Sequence, residues 1–235
     1  MTVWTLALET VATAGSVALL QGTEVVAEQQ LPADSRSART LATAINQLWQ
    51  GAGKPPIHLV AVASGPGSFT GLRVGITTAK TLAFAWGARL IGVNTLTAIA
   101  FQAKTEDLAL HVVLDAQRKE LFLATLQRVT PQAQWERQGT DIIVTATDWL
   151  QSLTANPVSS VAVSGPALNK LRESLPAGTS VVDPQHWHPQ AATIGLLALQ
   201  AFAANQPDEL WTLAPHYMRV SYAEEKKPAA KAIDA

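Results

Sequence analysis

An α/β fold made of two related lobes is what this 235-residue sequence predicts. Three observations carry the prediction. Short apolar strands alternate with helices of 3.6-residue periodicity, the pattern of helices packed on a sheet. The run Val60-Ala61-Val62-Ala63-Ser64-Gly65-Pro66 is echoed by Val161-Ala162-Val163-Ser164-Gly165-Pro166. An acidic residue closes an early strand in each half, Glu9 before Thr10 and Asp115 before Ala116. The acidic pair lies 106 residues apart and the Gly-Pro turns 100 apart, so the offsets nearly agree and point to an internal duplication.

Taken in order, Val3 to Glu9 reads as a strand, Thr10 to Gly15 as a turn and Ser16 to Leu20 as a second strand. Gln21-Gly22-Thr23 makes a tight turn into a third strand, Glu24 to Leu31, completing an antiparallel meander. A helix is expected from about Ser37 to Gln50, where Leu41, Ile45, Leu48 and Trp49 form one apolar stripe. Gly51, Gly53 and Pro55-Pro56 stop it. Ile57 to Ala63 is a buried strand leading into the loop Ser64 to Gly71, and a helix runs from about Thr70 to Trp86, ending at Gly87. The second half follows the same plan. Leu110 to Asp115 and Leu121 to Gln127 are strands joined by Gln117-Arg118-Lys119, Trp135 to Val144 adds another strand, and Ala146 to Leu153 a helix. Pro189 to Asn205 is a long helix with Ile194, Leu197, Ala198 and Ala201 on one side, and Pro215 to Arg219 is a closing segment. A repeated unit of strand meander, helix and strand describes the actin-like, ribonuclease-H-like fold, two lobes with a cleft between them. The first lobe is expected over 1–95, the second over 96–222, and a disordered tail over 223–235.

Composition narrows the function. Charged residues are 15% of the chain, against roughly 25% in average globular chains. The formal net charge is −1, which excludes a strongly basic protein that grips nucleic acid alone through counterion release. The absence of cysteine excludes disulfides, thiolate zinc sites and cysteine nucleophiles, and fits a reducing cytoplasm. No basic residue precedes Arg36 and Glu9 interrupts the first apolar stretch, so neither a secretory signal nor a transmembrane helix is expected. The sequence is read as cytoplasmic. Sparse charge also leaves a neutral surface suited to a partner.

The loop Gly65 to Gly71 follows a strand and opens a helix, where backbone N–H groups and the helix dipole favour an anion. Ser68 and Thr70 offer hydroxyl donors there. No lysine follows Gly71, so it is not a nucleotide-binding P-loop. Pro66 stands where a nucleophile elbow needs glycine. Two readings stay open: anion contact at Ser68 and Thr70, or a helix start capped by Ser68. The following helix carries Gly71, Gly75, Ala79 and Ala83 every four residues, a stripe that lets another backbone approach closely. That neighbour is either a partner helix or the chain's own sheet.

Ser64-Gly65-Pro66-Gly67-Ser68-Phe69-Thr70-Gly71-Leu72-Arg73-Val74-Gly75, continuing to Thr78-Ala79-Lys80, resembles the signature of the bacterial TsaB family, also called YeaZ. Asp115 to Phe122 resembles that family's second-lobe hairpin, and Pro215-His216-Tyr217-Met218-Arg219 its C-terminal Pro-x-Tyr-x-Arg segment. The likeness spans most of residues 1–222. It implies a non-catalytic scaffold that pairs with a TsaD-like paralogue. With a TsaE-like ATPase the pair supports transfer of a threonylcarbamoyl group to the adenosine beside the tRNA anticodon. It also implies a homodimer in isolation through the first-lobe helices, with tRNA met only through the complex. Leu41, Ile45, Gly71, Gly75, Ala79 and Ala83 are the expected interface residues. Two departures weaken any preserved active cleft: Glu9 stands where the family often has Asp, and Arg36 where it commonly has His.

No catalytic, cofactor or metal site is expected. Glycine follows Glu9 only at Gly15, and none follows Asp115 through Gln127, so glycine-rich phosphate turns are missing. The TsaD enzyme's His-x-x-x-His pair is also missing, and His186-Trp187-His188 lacks a third ligand. Trp49 and Trp86 fit helix packing better than base stacking. Lys226, Lys227 and Lys231 are offset by Glu224, Glu225 and Asp234. The rival readings are a glycoprotease-like peptidase, for which no nucleophile–base constellation is visible, and an actin-like ATP-binding small-molecule kinase.

Overall fold

Strand β1 (Trp4–Glu9) is buried continuously from Thr5 to Glu9, so both faces of the sheet around it must be covered. In the computed structural model, which describes residues 2–32, 38–155 and 161–219, they are. Strands β2 (Ser16–Gln21) and β3 (Glu24–Gln30) complete the meander, followed by helix α1 (Ala38–Gly51), strand β4 (Leu59–Gly65), helix α2 (Phe69–Trp86), strand β5 (Arg89–Asn94) and helix α3 (Thr95–Gln102). The sheet order is β3-β2-β1-β4-β5, with β1, β2 and β3 antiparallel and β1, β4 and β5 parallel. The expected start of α1 at Ser37, the departure at Arg36 and the tail over 223–235 lie outside the described residues.

The second half comprises β6 (Ala109–Gln117), β7 (Glu120–Gln127), β8 (Glu136–Arg137), β9 (Ile142–Thr145), α4 (Ala146–Ala155), β10 (Val161–Ser164), α5 (Leu168–Leu171), β11 (Ser180–Val181) and α6 (Ala191–Ala203). Its sheet order is β11-β10-β6-β7-β8, with β9 also on β7. β6 and β7 are antiparallel, and β6, β10 and β11 parallel, which repeats the first sheet strand for strand. The two Gly-Pro turns repeat at backbone level too, with φ +112° at Gly65 and +115° at Gly165. A side chain at Gly165 would place Cβ 2.2 Å from the Val113 carbonyl oxygen, so this turn admits only glycine.

Three differences from the expected elements have local causes. The strand expected over Trp135 to Val144 is two short ones, broken by Gly139 at φ +77°. β5 and α3 were not foreseen. Their apolar runs are short and meet without a turn signal: Asn94 ends the strand and caps the helix, its Oδ1 accepting from Thr97 N–H at 3.0 Å. The third difference concerns α6. It lies inside the stretch 96–222 yet packs on the first sheet, where Ile194 and Ala198 are fully buried and Gly195 sits against Ala7 and Leu20. Its first amides are capped from that sheet, Ala191 N–H donating to Ser16 Oγ at 2.8 Å and Ala192 N–H to Glu28 Oε1 at 3.1 Å. Conversely, α3 sends Leu96, Ile99 and Ala100 into the core of the second sheet. Each half thus lends its last long helix to the other, while α4 and α5 close the second sheet's far face through Trp149 and Leu168.

The small-residue stripe belongs to this packing. Gly71, Gly75, Ala79 and Ala83 are all buried within the chain, as are Leu41 and Ile45. A Cβ at Gly71 would stand 2.0 Å from the Thr10 carbonyl oxygen, and one at Gly75 2.2 Å from Thr10 Oγ1. Thr10 Oγ1 donates to the Gly71 carbonyl at 2.8 Å. The backbone brought close to α2 is therefore the chain's own first turn. The reading of these six residues as an intermolecular contact is corrected accordingly, because none presents a surface to a partner. Trp49 and Trp86 do pack together, at 5.6 Å between rings. No described helix is long and apolar enough to cross a membrane.

Overpacking at such a contact costs about 1–3 kcal/mol. A chain of this size loses about 2–4 °C in Tm per kcal/mol. Gly75→Leu is accordingly expected to melt several degrees early in a thermal scan. An unchanged Tm would mean that α2 is not seated on Thr10.

Candidate functional site

Between the lobes lies a cleft of about 1100 Å³. Its walls are the two strand-end turns (Val11 to Thr13 and Leu114 to Arg118), the two Gly-Pro turns and the segment His216 to Arg219. Duplication explains this geometry, since the same loop of each unit faces the same space.

At the end of β1 the Glu9 carboxylate is fully buried, and its Oε1 accepts from Val11 N–H at 2.6 Å and Ala12 N–H at 3.0 Å. At the end of β6, Asp115 Oδ1 accepts from Gln117 N–H at 2.7 Å. In both lobes an amide that could meet an anion is turned back onto the chain's own carboxylate. Val11 further fills the floor, because a Cβ at Gly67 would come within 2.7 Å of its Cβ. The second turn is held by side-chain-bearing residues at positive φ: Gln117 at 66°, Arg118 at 53° and Lys119 at 62°.

Asp115 Oδ2 also pairs with Lys170 Nζ at 2.6 Å. Burial pushes the Asp115 carboxyl upward, but the Lys170 hydrogen bond and charge, with the Gln117 amide, outweigh it and hold the group below 3.8. Lys170 is largely exposed, so this pair is a screened one.

The loop after β4 is a helix start. Ser68 is the N-cap of α2, its Oγ accepting from Gly71 N–H at 3.3 Å. Of the two hydroxyls weighed for anion contact, Ser68 lines the cleft while serving as this cap, and Thr70 is exposed outside the lining. At the far end Gly87 takes the left-handed conformation at φ +62°, and Ala88 N–H closes on the Ala83 carbonyl at 2.9 Å. Over the loop lies the C-terminal segment. His216 N–H donates to the Ser64 carbonyl at 2.8 Å, Tyr217 stacks on Phe69 at 4.7 Å, and Arg73 Nε donates to Tyr217 Oη at 3.0 Å.

Arg73, Glu120 and Lys170 were not singled out from the sequence. Each is an ordinary charged residue whose partner lies far along the chain, although Arg73 and Glu120 fall within the quoted motifs. Four of the five histidines separate into two groups. His58 Nδ1 accepts from Trp4 N–H at 3.0 Å and His111 Nδ1 from Trp149 Nε1–H at 3.3 Å, while His188 and His216 border the cleft. Burial pushes His111 below its ordinary value. Among the described residues no three His, Asp or Glu side chains gather as a metal would require.

Comparison with known proteins places this architecture. A family model described as TsaD, tRNA N6-adenosine threonylcarbamoyltransferase, matches residues 26–184. The tRNA threonylcarbamoyladenosine biosynthesis protein TsaB of Escherichia coli (strain K12) is 29% identical over 229 residues, 95% of this chain and 97% of the relative. Its namesake from Bacillus subtilis (strain 168) is 26% identical over 215 residues, 89% and 91% of the two chains. The solved structure of YeaZ from Pseudomonas aeruginosa superposes with a TM-score of 0.73 at 24% identity, over 92% of this chain and all of that one. Two copies of one sheet order about a cleft, with helices exchanged between them, define a two-lobed actin-like (ASKHA) protein. The matches run nearly end to end in both directions. The chain belongs to the TsaB (YeaZ) family.

The Asp115 pair sets a pH dependence. With its folded value depressed, the carboxylate contributes stability that is fully present above 3.8 and is lost as pH falls through the lower folded value. Lys170→Met is expected to move the Asp115 titration upward when followed by carboxyl NMR. An unshifted curve would assign the depression to the Gln117 amide alone.

Proposed function

We propose that this chain is an accessory subunit in the formation of threonylcarbamoyladenosine on tRNA, pairing with a TsaD-like catalytic paralogue and a TsaE-like ATPase in the cytoplasm. The pathway follows from the family, whose curated members carry it in their names. The accessory role rests above all on one observation: the Glu9 carboxylate occupies the Val11 and Ala12 amides of the first-lobe turn. An actin-like enzyme needs such amides for phosphate, and here they are already satisfied by the buried Glu9 carboxyl oxygen. The repeated arrangement at Asp115 and Gln117 supports the same reading in the second lobe.

With the small-residue stripe inside the core, the partner surface is assigned to the outward faces of the same two helices. Ala42, Asn46 and Gln47 on α1, and Thr70, Thr77 and Thr81 on α2, are exposed and uncharged. The exposed charged residue on α2, Arg73, has its Nε already donating to Tyr217 Oη. The same faces serve a homodimer when the partner is absent, and tRNA is met through the complex.

Reconstitution tests the role. The purified chain alone is expected to transfer nothing to tRNA, and addition of a TsaD-like subunit, with which it co-purifies, and a TsaE-like ATPase is expected to give modified tRNA. Modification by this chain without partners would sink the accessory reading. Glu9→Ala sharpens the point, because it leaves two amides buried beside an empty space, a cost of about 1–3 kcal/mol for each unsatisfied group. The variant is expected to melt early yet to support the complex within about tenfold of normal, or 1.4 kcal/mol, at a temperature where it is folded. A loss of several hundredfold in folded protein would make Glu9 catalytic.

A further inference from the structure

The segment that follows α6 touches both lobes, and it does so with different side chains. Residues 208 and 209 run along the outer edge of the first sheet. Leu90 N–H donates to Asp208 Oδ1 at 2.9 Å, Glu209 N–H to the Leu90 carbonyl at 2.9 Å, and Gly92 N–H to Glu209 Oε2 at 2.5 Å. The chain then crosses the end of β4 through the His216 to Ser64 bond. A Cβ at Gly65 would lie 2.9 Å from the His216 carbonyl oxygen, so the crossing is in direct backbone contact. Tyr217 closes this first-lobe end, with Phe69 beneath its ring and Arg73 at its hydroxyl. The Arg73 guanidinium itself lies 4.0 Å over the Phe69 ring.

Two residues later the contacts change lobe. Met218 packs against the second core. Arg219 donates from Nη1 to the Ala116 carbonyl at 2.7 Å and pairs through Nη2 with Glu120, on either side of the β6–β7 turn. Residues 216–219 thus span the cleft mouth, and all four line it.

We propose that His216 to Arg219 is a clasp that sets the opening of the interlobe cleft: Tyr217 anchors it on the first lobe and Arg219 on the second. Each anchor is built for the task. A stacked ring with a charged donor at its hydroxyl resists sliding, and a guanidinium shared between a carbonyl and a carboxylate fixes both distance and direction. A second tie joins the lobes independently. Arg137 pairs with Asp141 and donates to Asn94 Oδ1 at 3.1 Å and Thr97 Oγ1 at 2.6 Å, while Asn94 Nδ2 donates to Asp141 Oδ2 at 2.7 Å. Loss of the clasp therefore frees the angle between lobes without parting them.

A chain without cysteine makes the test direct. Spin labels at Thr23→Cys in the β2–β3 turn of the first lobe and Glu173→Cys in the second lobe, both exposed and away from the clasp, report the interlobe distance by pulsed electron resonance. One narrow distribution is expected for the otherwise unaltered chain. Arg219→Ala and Tyr217→Ala are each expected to broaden it toward longer distances. Because the two anchors act in series, the double variant is expected to broaden it no further than either alone. An unchanged distribution in Arg219→Ala, or widths that add in the double variant, would overturn the proposal. Should Arg219→Ala fail to fold by circular dichroism, Glu120→Gln weakens the same anchor from the other side and is read by the same criterion.

Discussion

The contact of Thr10 with the first turns of α2 is the constraint on which the first lobe and its side of the cleft depend. Thr10 reaches Gly71 and Gly75 at distances that no side chain could tolerate, and its hydroxyl donates to the Gly71 carbonyl. That approach brings the start of α2 down beside the end of β1. From there Val11 is placed to fill the space over Gly67, while the Ser68 cap and the Glu9 contacts are each made within their own segment. Moving α2 outward by the width of one methyl group would break the Thr10 to Gly71 bond and open a gap over Val11.

Duplication with exchange is the second organising feature. A sheet whose strands are buried on both faces needs two layers of helix. The chain supplies the second layer of each sheet from the other half: α6 covers the first sheet and α3 reaches into the second. Neither half can then complete its core alone, which is why the lobes share a cleft rather than hang on a flexible linker. The two strand-end carboxylates have meanwhile taken different partners. Glu9 is sealed among amides, whereas Asp115 reaches a surface lysine. The same ancestral turn has become rigid floor in one lobe and a partly open wall in the other.

For function, the consequence is a cleft whose polar groups largely answer one another. Its cationic side chains are engaged within the chain: Arg73 by Tyr217, Lys170 by Asp115 and Arg219 by Glu120 and Ala116. A ligand would have to displace an existing partner from each. An accessory role, with the outer helix faces left for assembly, is the reading that such a cleft favours.

Much of this was legible in the sequence because it is local. The alternating strands, the 3.6-residue stripe of Leu41 and Ile45, the Ser68 cap, the Gly87 stop and the echoed Gly-Pro turns are all set by a few neighbouring residues. Backbone propensity and side-chain periodicity decide such features before any long-range contact forms. What lay across the stripe of Gly71, Gly75, Ala79 and Ala83 was not legible. Small residues declare that a backbone comes near, but not whose, and only the fold shows that it is Thr10. Likewise nothing in the apolar face of α6 says which sheet it covers, and nothing in Tyr217 or Arg219 says that they grip different lobes. Those assignments rest on pairings far apart in the chain, such as Thr10 with Gly71, Arg219 with Ala116 and Ala191 with Ser16. The physical reason is that hydrophobic burial is non-directional: the sequence determines which faces must be covered, and the tertiary structure alone decides by what.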